Sequence, residues 1–263
     1  MTDIFLNTDL FIVINEYTDL RSLCNTCVLF TTLKRNINYK FNKKYSLMYY
    51  NDILFKNIIL SKIYNPYKQI TLNLRNCNNI TDVSSLGNVH TLYLCLCDKI
   101  TDVSALENVH TLDLTWCNIT DVSALGNVHT LNLTWCKNII DVNELGNVHT
   151  LNLSCCYNIT DVSALGNVHT LYLCCCNITD VSALGNVHTL DLGHCDNITD
   201  VSALGNVHTL NLSWCKNITD VSALGNVHTL DLRHCDKITD ISALGNVHTL
   251  KLTSHDSLSG LTF

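Results

Sequence analysis

One unit of 19 or 20 residues repeats nine times along this chain and takes up most of its 263 residues. The unit reads L-x-L-x-x-C-x-(x)-I-T-D-V-S-A-L-G-N-V-H-T, and a tenth unit decays soon after it begins. Such a short unit cannot bury its own apolar side chains, so it must coil and stack on its neighbours. The nine units begin at Leu72, Leu92, Leu112, Leu131, Leu151, Leu171, Leu190, Leu210 and Leu230, and the decayed one at Leu250.

Each unit predicts a short strand, a turn and one short helical segment. In V-H-T-L-x-L the Val and both Leu residues are expected on one face, and His, Thr and x on the other, as in a strand. The Gly-Asn pair before it favours a turn, and the Asp of T-D-V-S-A-L is placed to cap a helical or 3₁₀ turn. The sequence therefore predicts an α/β solenoid whose strands stack in parallel at ~4.8 Å.

These residues resemble the leucine-rich-repeat family, whose signature is L-x-x-L-x-L-x-x-(N/C)-x-L. The run V-H-T-L-Y-L-C-L-C at residues 89–97 shows it. The Cys followed by Ile-Thr-Asp is similar to the cysteine-containing subclass common in F-box proteins. The resemblance covers residues 69–258 and implies a parallel β-sheet on the concave face. Because the convex segment V-S-A-L-G-N is short, we expect a thin, gently curved solenoid.

Cysteine, histidine and aspartate each recur in register and form three ladders. We interpret the cysteines as small buried side chains whose thiols meet backbone carbonyl groups, since zinc needs ligands that converge and a ladder offers a line. Off this ladder, Cys155, Cys174 and Cys175 lie on adjacent coils, where adventitious metal binding or oxidation stays open. The ladder cysteines are Cys77, Cys97, Cys117, Cys136, Cys156, Cys176, Cys195, Cys215 and Cys235.

The histidine ladder runs from His90 to His248 and the aspartate ladder from Asp82 to Asp240. Every coil has the same set, so no nucleophile or base is singled out, and we predict no enzyme and no cofactor. The aspartates are interpreted as capping carboxylates, since the Gly-Gly-x-Gly-x-Asp nonapeptide of calcium-binding coils is absent.

Positions that vary against this repeated frame indicate a binding surface. They are the x of L-x-L and the two residues before the ladder cysteine, and all three tryptophans fall directly before that cysteine. Trp, Tyr and Arg are enriched at interface hot spots, so we predict that a protein target binds the concave sheet face. The alternative is drift after duplication, with the tryptophans packing on their neighbours. The predicted contact residues are Tyr93, Trp116, Trp135, Tyr172, His194, Trp214, Arg233 and His234.

Charge divides the chain into two parts. Residues 1–70 carry nine Lys or Arg against five Asp or Glu, whereas residues 71–263 carry seven against eighteen. The acidic part argues against nucleic acid as a partner. Fifteen cysteines, an odd number, together with no secretory segment and no apolar run of ~18 residues, predict no membrane span and a reducing compartment. We expect an intracellular protein, located in the cytoplasm.

The N-terminal segment, residues 1–68, predicts a small helical domain before the solenoid at residues 69–263. An apolar stripe of Leu47, Tyr50, Leu54 and Ile58 precedes the only proline. Residues 6–45 resemble an F-box, the helical module that docks on the cullin-linked adaptor of ubiquitin ligases, although Asn7, Val28 and Phe30 depart from its pattern. The alternative is a cap that shields the first coil. The resemblance implies that Leu10, Ile14, Leu20, Leu23 and Cys27 bind the adaptor.

An F-box followed by leucine-rich repeats implies a substrate-recognition subunit of a cullin-type ubiquitin ligase. With an Asn-, Ile-, Tyr- and Lys-rich segment, the combination is similar to proteins of giant amoebal viruses of the mimivirus kind. The rival interpretation is a plain scaffold or decoy that uses the solenoid alone.

Overall fold

A computed structural model describes residues 39–62 and 70–253. Eleven parallel strands form one sheet in which each strand pairs with the next in chain order. The strands are β1 (Tyr39–Lys40), β2 (Ile70–Asn73), β3 (Thr91–Tyr93), β4 (Thr111–Asp113), β5 (Thr130–Asn132), β6 (Thr150–Asn152), β7 (Thr170–Tyr172), β8 (Thr189–Asp191), β9 (Thr209–Asn211), β10 (Thr229–Asp231) and β11 (Thr249–Lys251).

Repeat positions pair with like positions, so Thr111 lies beside Thr130 and Leu112 beside Leu131. The two shorter units keep this register, since the missing residue falls in the loop after the cysteine. Opposite the sheet, each unit makes one short 3₁₀ turn, which confirms the expected parallel solenoid. The turns span Ser84–Leu86, Ser104–Leu106, Ser123–Asn127, Asn143–Asn147, Ser163–Asn167, Ser182–Leu184, Ser202–Asn206, Ser222–Asn226 and Ser242–Asn246.

The core is a single column of stacked aliphatic side chains between the sheet and the 3₁₀ turns. In a middle coil, Leu151, Leu153, Ile159 and Leu165 have 0 % exposure, and the other complete coils repeat them. Because each coil is buried by its neighbours, the stability of the solenoid comes largely from contacts between coils.

Glycine in the 3₁₀ turn sets how closely the coils stack. A Cβ added to Gly205 would lie 2.4 Å from the carbonyl oxygen of Ala223 in the next coil. None of these glycines has a positive φ, so close approach and not backbone conformation requires them. Glu107 holds this position in one coil, and nothing in the structure explains how it is accommodated there.

Two helices, α1 (Lys43–Asn51) and α2 (Ile53–Lys62), cover the first coil, and β1 extends the sheet beside β2. The stripe expected across both helices is wrong, because Leu54 is 70 % exposed. Helix α1 ends before Asp52, whose carboxylate accepts the N–H groups of Leu54 and Phe55 at the start of α2. The two helices therefore do not share one continuous apolar face. The side chains that join the solenoid core are Phe41, Tyr45, Tyr49, Phe55 and Ile59.

Candidate functional site

After each repeat strand the chain turns within four residues, and the third of them has a left-handed backbone. In the second coil the N–H of Cys97 donates to the carbonyl of Leu94 at 3.1 Å, and Leu96 between them has a φ of 61°. We call the equivalent residues of all nine coils the exit-turn column. They have φ values from 58° to 65° and are Asn76, Leu96, Trp116, Trp135, Cys155, Cys175, His194, Trp214 and His234.

The residue types of this column do not suit its backbone. A positive φ at the third turn position favours glycine or asparagine, and other L-residues there are strained by about 1–2 kcal/mol. Asn76 is a favourable choice, His194 and His234 are of a type that is also enriched at positive φ, and no coil has glycine. The large side chains at these positions are therefore not explained by the needs of the turn.

Two tryptophans stack in the first half of the column. The indole rings of Trp116 and Trp135 lie 4.7 Å apart at 9°, and the ring of Tyr157 meets Trp135 edge-on at 5.6 Å. The ammonium group of Lys137 lies 5.5 and 5.0 Å from the two indole centroids, within cation–π range.

The second half of the column repeats this arrangement with different rings. Trp214 lies between His194 and His234, at centroid distances of 5.3 and 3.9 Å. Cys155 and Cys175 separate the two aromatic runs. Trp116 and Trp214 keep 43 % and 39 % of their surface exposed, so the column presents apolar area that the solenoid does not bury.

The remaining predicted contact residues lie on the sheet beside this column. Tyr93 and Tyr172 are half-buried at the x position, and the guanidinium of Arg75 lies 4.5 Å from the Tyr93 ring. Arg233 is exposed, but its guanidinium is held by the Asp231 carboxylate, with Nη2 at 2.7 Å from Oδ2. The eight predicted residues therefore lie at the C-terminal ends of the repeat strands or in the exit turns that follow them.

The x position has a structural role that the sequence analysis missed. Where x is Asn or Asp, its side-chain oxygen accepts the N–H two residues further on, as Asn152 does from Ser154 at 2.9 Å. Such Asx contacts hold the start of the exit turn. The variation between Asn and Asp at this position is thus explained by the turn and carries no evidence of binding. The same contact is made by Asn73, Asp113, Asn132, Asp191, Asn211 and Asp231.

The cysteine ladder has the expected structural role. In eight coils the thiol donates to the second Leu carbonyl of the preceding coil at 3.0–3.4 Å, and Cys77 of the first coil donates to Arg75 at 3.7 Å. Burial raises the pKa of Cys97 to about 11 and of Cys136 to about 12. These thiols stay protonated at neutral pH, which makes them poor nucleophiles.

The histidine ladder forms an exposed stack of nine parallel rings. Neighbouring centroids lie 4.5–4.6 Å apart at 9–14°, and each Nδ1 contacts the hydroxyl of the following Thr at 3.0–3.3 Å. Burial, followed by repulsion between neighbouring imidazoles, lowers the pKa of His110 and His188. Within residues 39–62 and 70–253, no three His, Cys, Asp or Glu side chains are arranged to hold a metal ion.

The aspartate ladder caps the 3₁₀ turns, as the sequence predicts. Each carboxylate accepts the backbone N–H two residues further on at 2.8–2.9 Å. In the coil of Asp161, hydrogen bonds from the Ser163 backbone and side chain lower the pKa of the carboxyl. These carboxylates therefore serve the turn in every coil.

The predicted adaptor-binding residues Leu10, Ile14, Leu20, Leu23 and Cys27 lie outside the described residues. The described part of the F-box-like segment is 39–45, and it packs on the first coil through Phe41 and Tyr45. In the part of the chain that the structure describes, no helix is long and apolar enough to cross a membrane.

Comparison with known proteins supports the solenoid. A leucine-rich-repeat family model matches residues 105–126, 186–205, 206–225 and 226–244. No curated protein matches the sequence. A leucine-rich-repeat protein of Leptospira interrogans is similar in structure, with a TM-score of 0.53 and 20 % identity over 74 % of this chain and 57 % of its own. An internalin (inlF) of Listeria monocytogenes has a TM-score of 0.45 and 22 % identity over 74 % of this chain and 80 % of its own.

The repeated coil, its single parallel sheet and the partial family match define a leucine-rich-repeat solenoid. The chain contains leucine-rich repeats, and its fold is shared with leucine-rich-repeat proteins. Proteins of this class are typically non-enzymatic binding scaffolds, and none of the comparisons indicates a catalytic family.

Proposed function

We propose that the chain is a non-enzymatic scaffold that binds a protein target along the exit-turn column. The observation that carries the proposal is that strained turn positions hold exposed, stacked aromatic side chains instead of glycine or asparagine. Trp116 and Trp214 offer their exposed area to a partner at little cost in conformational entropy, because the stacks fix their rotamers. Rigid aromatic anchors of this kind dominate many protein interfaces.

The chemistry around the column favours a partner surface that is apolar at its centre and acidic at one edge. Leu96, Trp116 and Trp135 supply the apolar centre, and Leu96 keeps 43 % of its surface exposed. Lys137 stands over both indoles, where a carboxylate of the partner could pair with its ammonium group. Polar residues surround such an anchor cluster in well-formed interfaces and exclude water from it.

A finer proposal is that residues 6–45 dock this scaffold on a cullin-linked adaptor and present the target for ubiquitin transfer. What supports it is the resemblance to an F-box at Leu10, Ile14, Leu20, Leu23 and Cys27. Two binding sites on one rigid body would bring target and ligase together by proximity. The rival, a plain scaffold with a capped first coil, is favoured by the packing of Tyr45, Tyr49 and Phe55 on the solenoid core.

The target site is tested by replacing Trp116, Trp135 and Trp214 together with Asn, which the first coil already carries at this position as Asn76. The triple variant should keep the circular dichroism spectrum and lose captured proteins from a eukaryotic lysate at least tenfold, as judged by quantitative mass spectrometry. The matched control is Ile140→Thr, which removes an apolar side chain that is 67 % exposed and lies outside the column. Equal capture by wild type and triple variant would reject the site.

The adaptor role is tested separately with the purified cullin-linked adaptor and the full chain. Wild type should bind it, Leu10→Glu/Leu20→Glu should not, and the Trp triple variant should bind as wild type does. No measurable binding by wild type would reject the ligase role and leave the scaffold in place.

A further inference from the structure

Two partly exposed thiols come together at the centre of the exit-turn column. The Sγ atoms of Cys174 and Cys175 lie 3.5 Å apart. The next residue, Cys176, belongs to the buried ladder, and its thiol is occupied by the Leu153 carbonyl at 3.2 Å. The thiols of Cys174 and Cys175 are thus partly exposed, whereas the thiol of Cys176 is buried and hydrogen-bonded within the solenoid.

The neighbouring coils place only small residues at the position of Cys174. At the position of Cys174 the next coil has Gly193, which contributes no side chain, and the preceding coil has Ser154. Cys175 stands between Cys155 and His194 in the exit-turn column. Between the aromatic runs, the two thiols are therefore flanked on the Cys174 side by small residues, and the Asp191, Asn211 and Ser213 side chains lie 3.2–3.4 Å from where a Cβ of Gly193 would stand.

We propose that Cys174 and Cys175 form a dithiol site that binds trivalent arsenicals of the type R–As(OH)₂. Two sulfurs bonded to one centre at ~2.3 Å, as in a tetrahedral thiolate site, lie about 3–4 Å apart. The observed separation of 3.5 Å falls in this range, so one arsenic atom can bridge the pair without a change of the backbone. This inference is independent of the proposed target binding.

The reaction is a condensation that leaves arsenic in its trivalent state. Two As–S bonds form and two As–O bonds break, and each thiol proton leaves with an arsenic-bound oxygen as water. Burial and the neighbouring Cys175 thiol raise the pKa of Cys174, so the Cys174 thiol is protonated at neutral pH. The condensation needs only two thiols and releases no net proton, whereas zinc binding requires thiolates and more ligands.

Other thiols are less suited to the same chemistry. The ladder thiols are buried and hydrogen-bonded to carbonyl groups. Cys155 contacts Cys175 from the adjacent coil and is a rival partner for it among the described residues. A test must therefore distinguish the pair 174–175 from the pair 155–175.

The experiment uses the full chain with Cys24→Ser and Cys27→Ser, which removes a second closely spaced cysteine pair from the assay, and phenylarsine oxide as the probe. We expect a tight adduct of one phenylarsenic unit by intact mass, with a loss of two titratable thiols. The adduct should be reversed by dithiothreitol and resist a monothiol at the same concentration, because two bonds to one centre raise the effective concentration of the second thiol.

Substitutions in this background identify the pair. Cys174→Ser uses a residue that Ser154 and Ser213 show to be acceptable at this position, and Cys175→Asn uses the residue of Asn76. Each should weaken the adduct by about 100-fold or more, whereas the matched variants Cys155→Asn and Cys95→Ser should leave it unchanged. Retention in Cys174→Ser, loss in Cys155→Asn, or no adduct in the background chain would each overturn the proposal.

Discussion

The glycine of the 3₁₀ turn gives the sharpest test of how the coils stack. Gly205→Ala places a Cβ at 2.4 Å from the Ala223 carbonyl oxygen, and an ordinary contact begins at 3.4 Å. The two 3₁₀ turns would have to move apart by roughly 1 Å at this point. The coil of Glu107 keeps the backbone hydrogen bonds to its neighbour, His129 N–H to His110 at 3.1 Å and Trp116 N–H to Thr134 at 3.0 Å, so we expect the cost of Gly205→Ala to come from crowding in the turns and not from lost hydrogen bonds.

The magnitude follows from two opposing effects. Overpacking of a well-packed interior costs about 1–3 kcal/mol, and replacing Gly by Ala at a compatible φ stabilises by about 0.4–1 kcal/mol through the unfolded chain. We therefore expect a net loss of about 1–2 kcal/mol for Gly205→Ala. Urea unfolding followed by far-ultraviolet circular dichroism measures it as a lower midpoint with an unchanged slope.

Gly245 provides the matched control, because no atom lies within 4 Å of the Cβ it would gain. Gly245→Ala should leave the midpoint unchanged or raise it slightly, and Gly146→Ala, with the Ala164 oxygen at 2.4 Å, should reproduce the loss. If all three variants shift the midpoint equally, contact with the next coil is not the reason for glycine at this position.

Two further predictions concern acid and the sheet face. Lowering the pH from 7.5 to 5.0 should lower the urea midpoint: the folded pKa values of His110 and His188 are depressed, so the unfolded chain binds more protons, and stability falls as pH drops through ~6.5. An unchanged or higher midpoint at pH 5.0 would contradict this. In a middle coil, Leu153→Ala should cost about 2–5 kcal/mol by leaving a cavity, and Asn152→Ala about 1 kcal/mol by removing the acceptor of the Ser154 N–H. Equal costs in urea unfolding would mean that the faces of the strand are assigned wrongly.

The solenoid and its ladders could be predicted because a fixed period leaves few choices. A residue such as Cys156 or Asp161 recurs at the same place in each coil, so its environment is set by its own copies in the neighbouring coils. The thiol contacts with the preceding coil and the carboxylate caps both follow from that placement. Burial of the Val and Leu residues follows from the strand alternation in the same way.

The left-handed backbone of the exit turn could not be predicted, because most of the residues that adopt it are of types that rarely have a positive φ. A left-handed residue is ordinarily signalled by Gly or Asn, and Trp135 or Leu96 gives no such signal. The sequence shows Asn152 only as one of the variable residues, since its contact is with a backbone N–H that the sequence does not reveal. In the N-terminal segment, Asp52 divides one apparent helical stripe into two registers.

The last prediction tests whether the residue type at the left-handed position of the exit turn is required for the stability of the solenoid. Leu96 is 43 % exposed and has a φ of 61°, so its side chain contributes little to the core and its backbone is strained. Leu96→Asn should stabilise the protein by about 1 kcal/mol, because Asn tolerates the left-handed region that Leu does not. Leu96→Ala removes the same apolar surface but keeps the strain, and it should not stabilise. Urea midpoints of the two variants decide the matter. If Ala stabilises as much as Asn, the turn is not strained and the argument from residue type to binding fails. If Asn alone stabilises, Leu96 is a residue whose backbone strain the solenoid itself does not require.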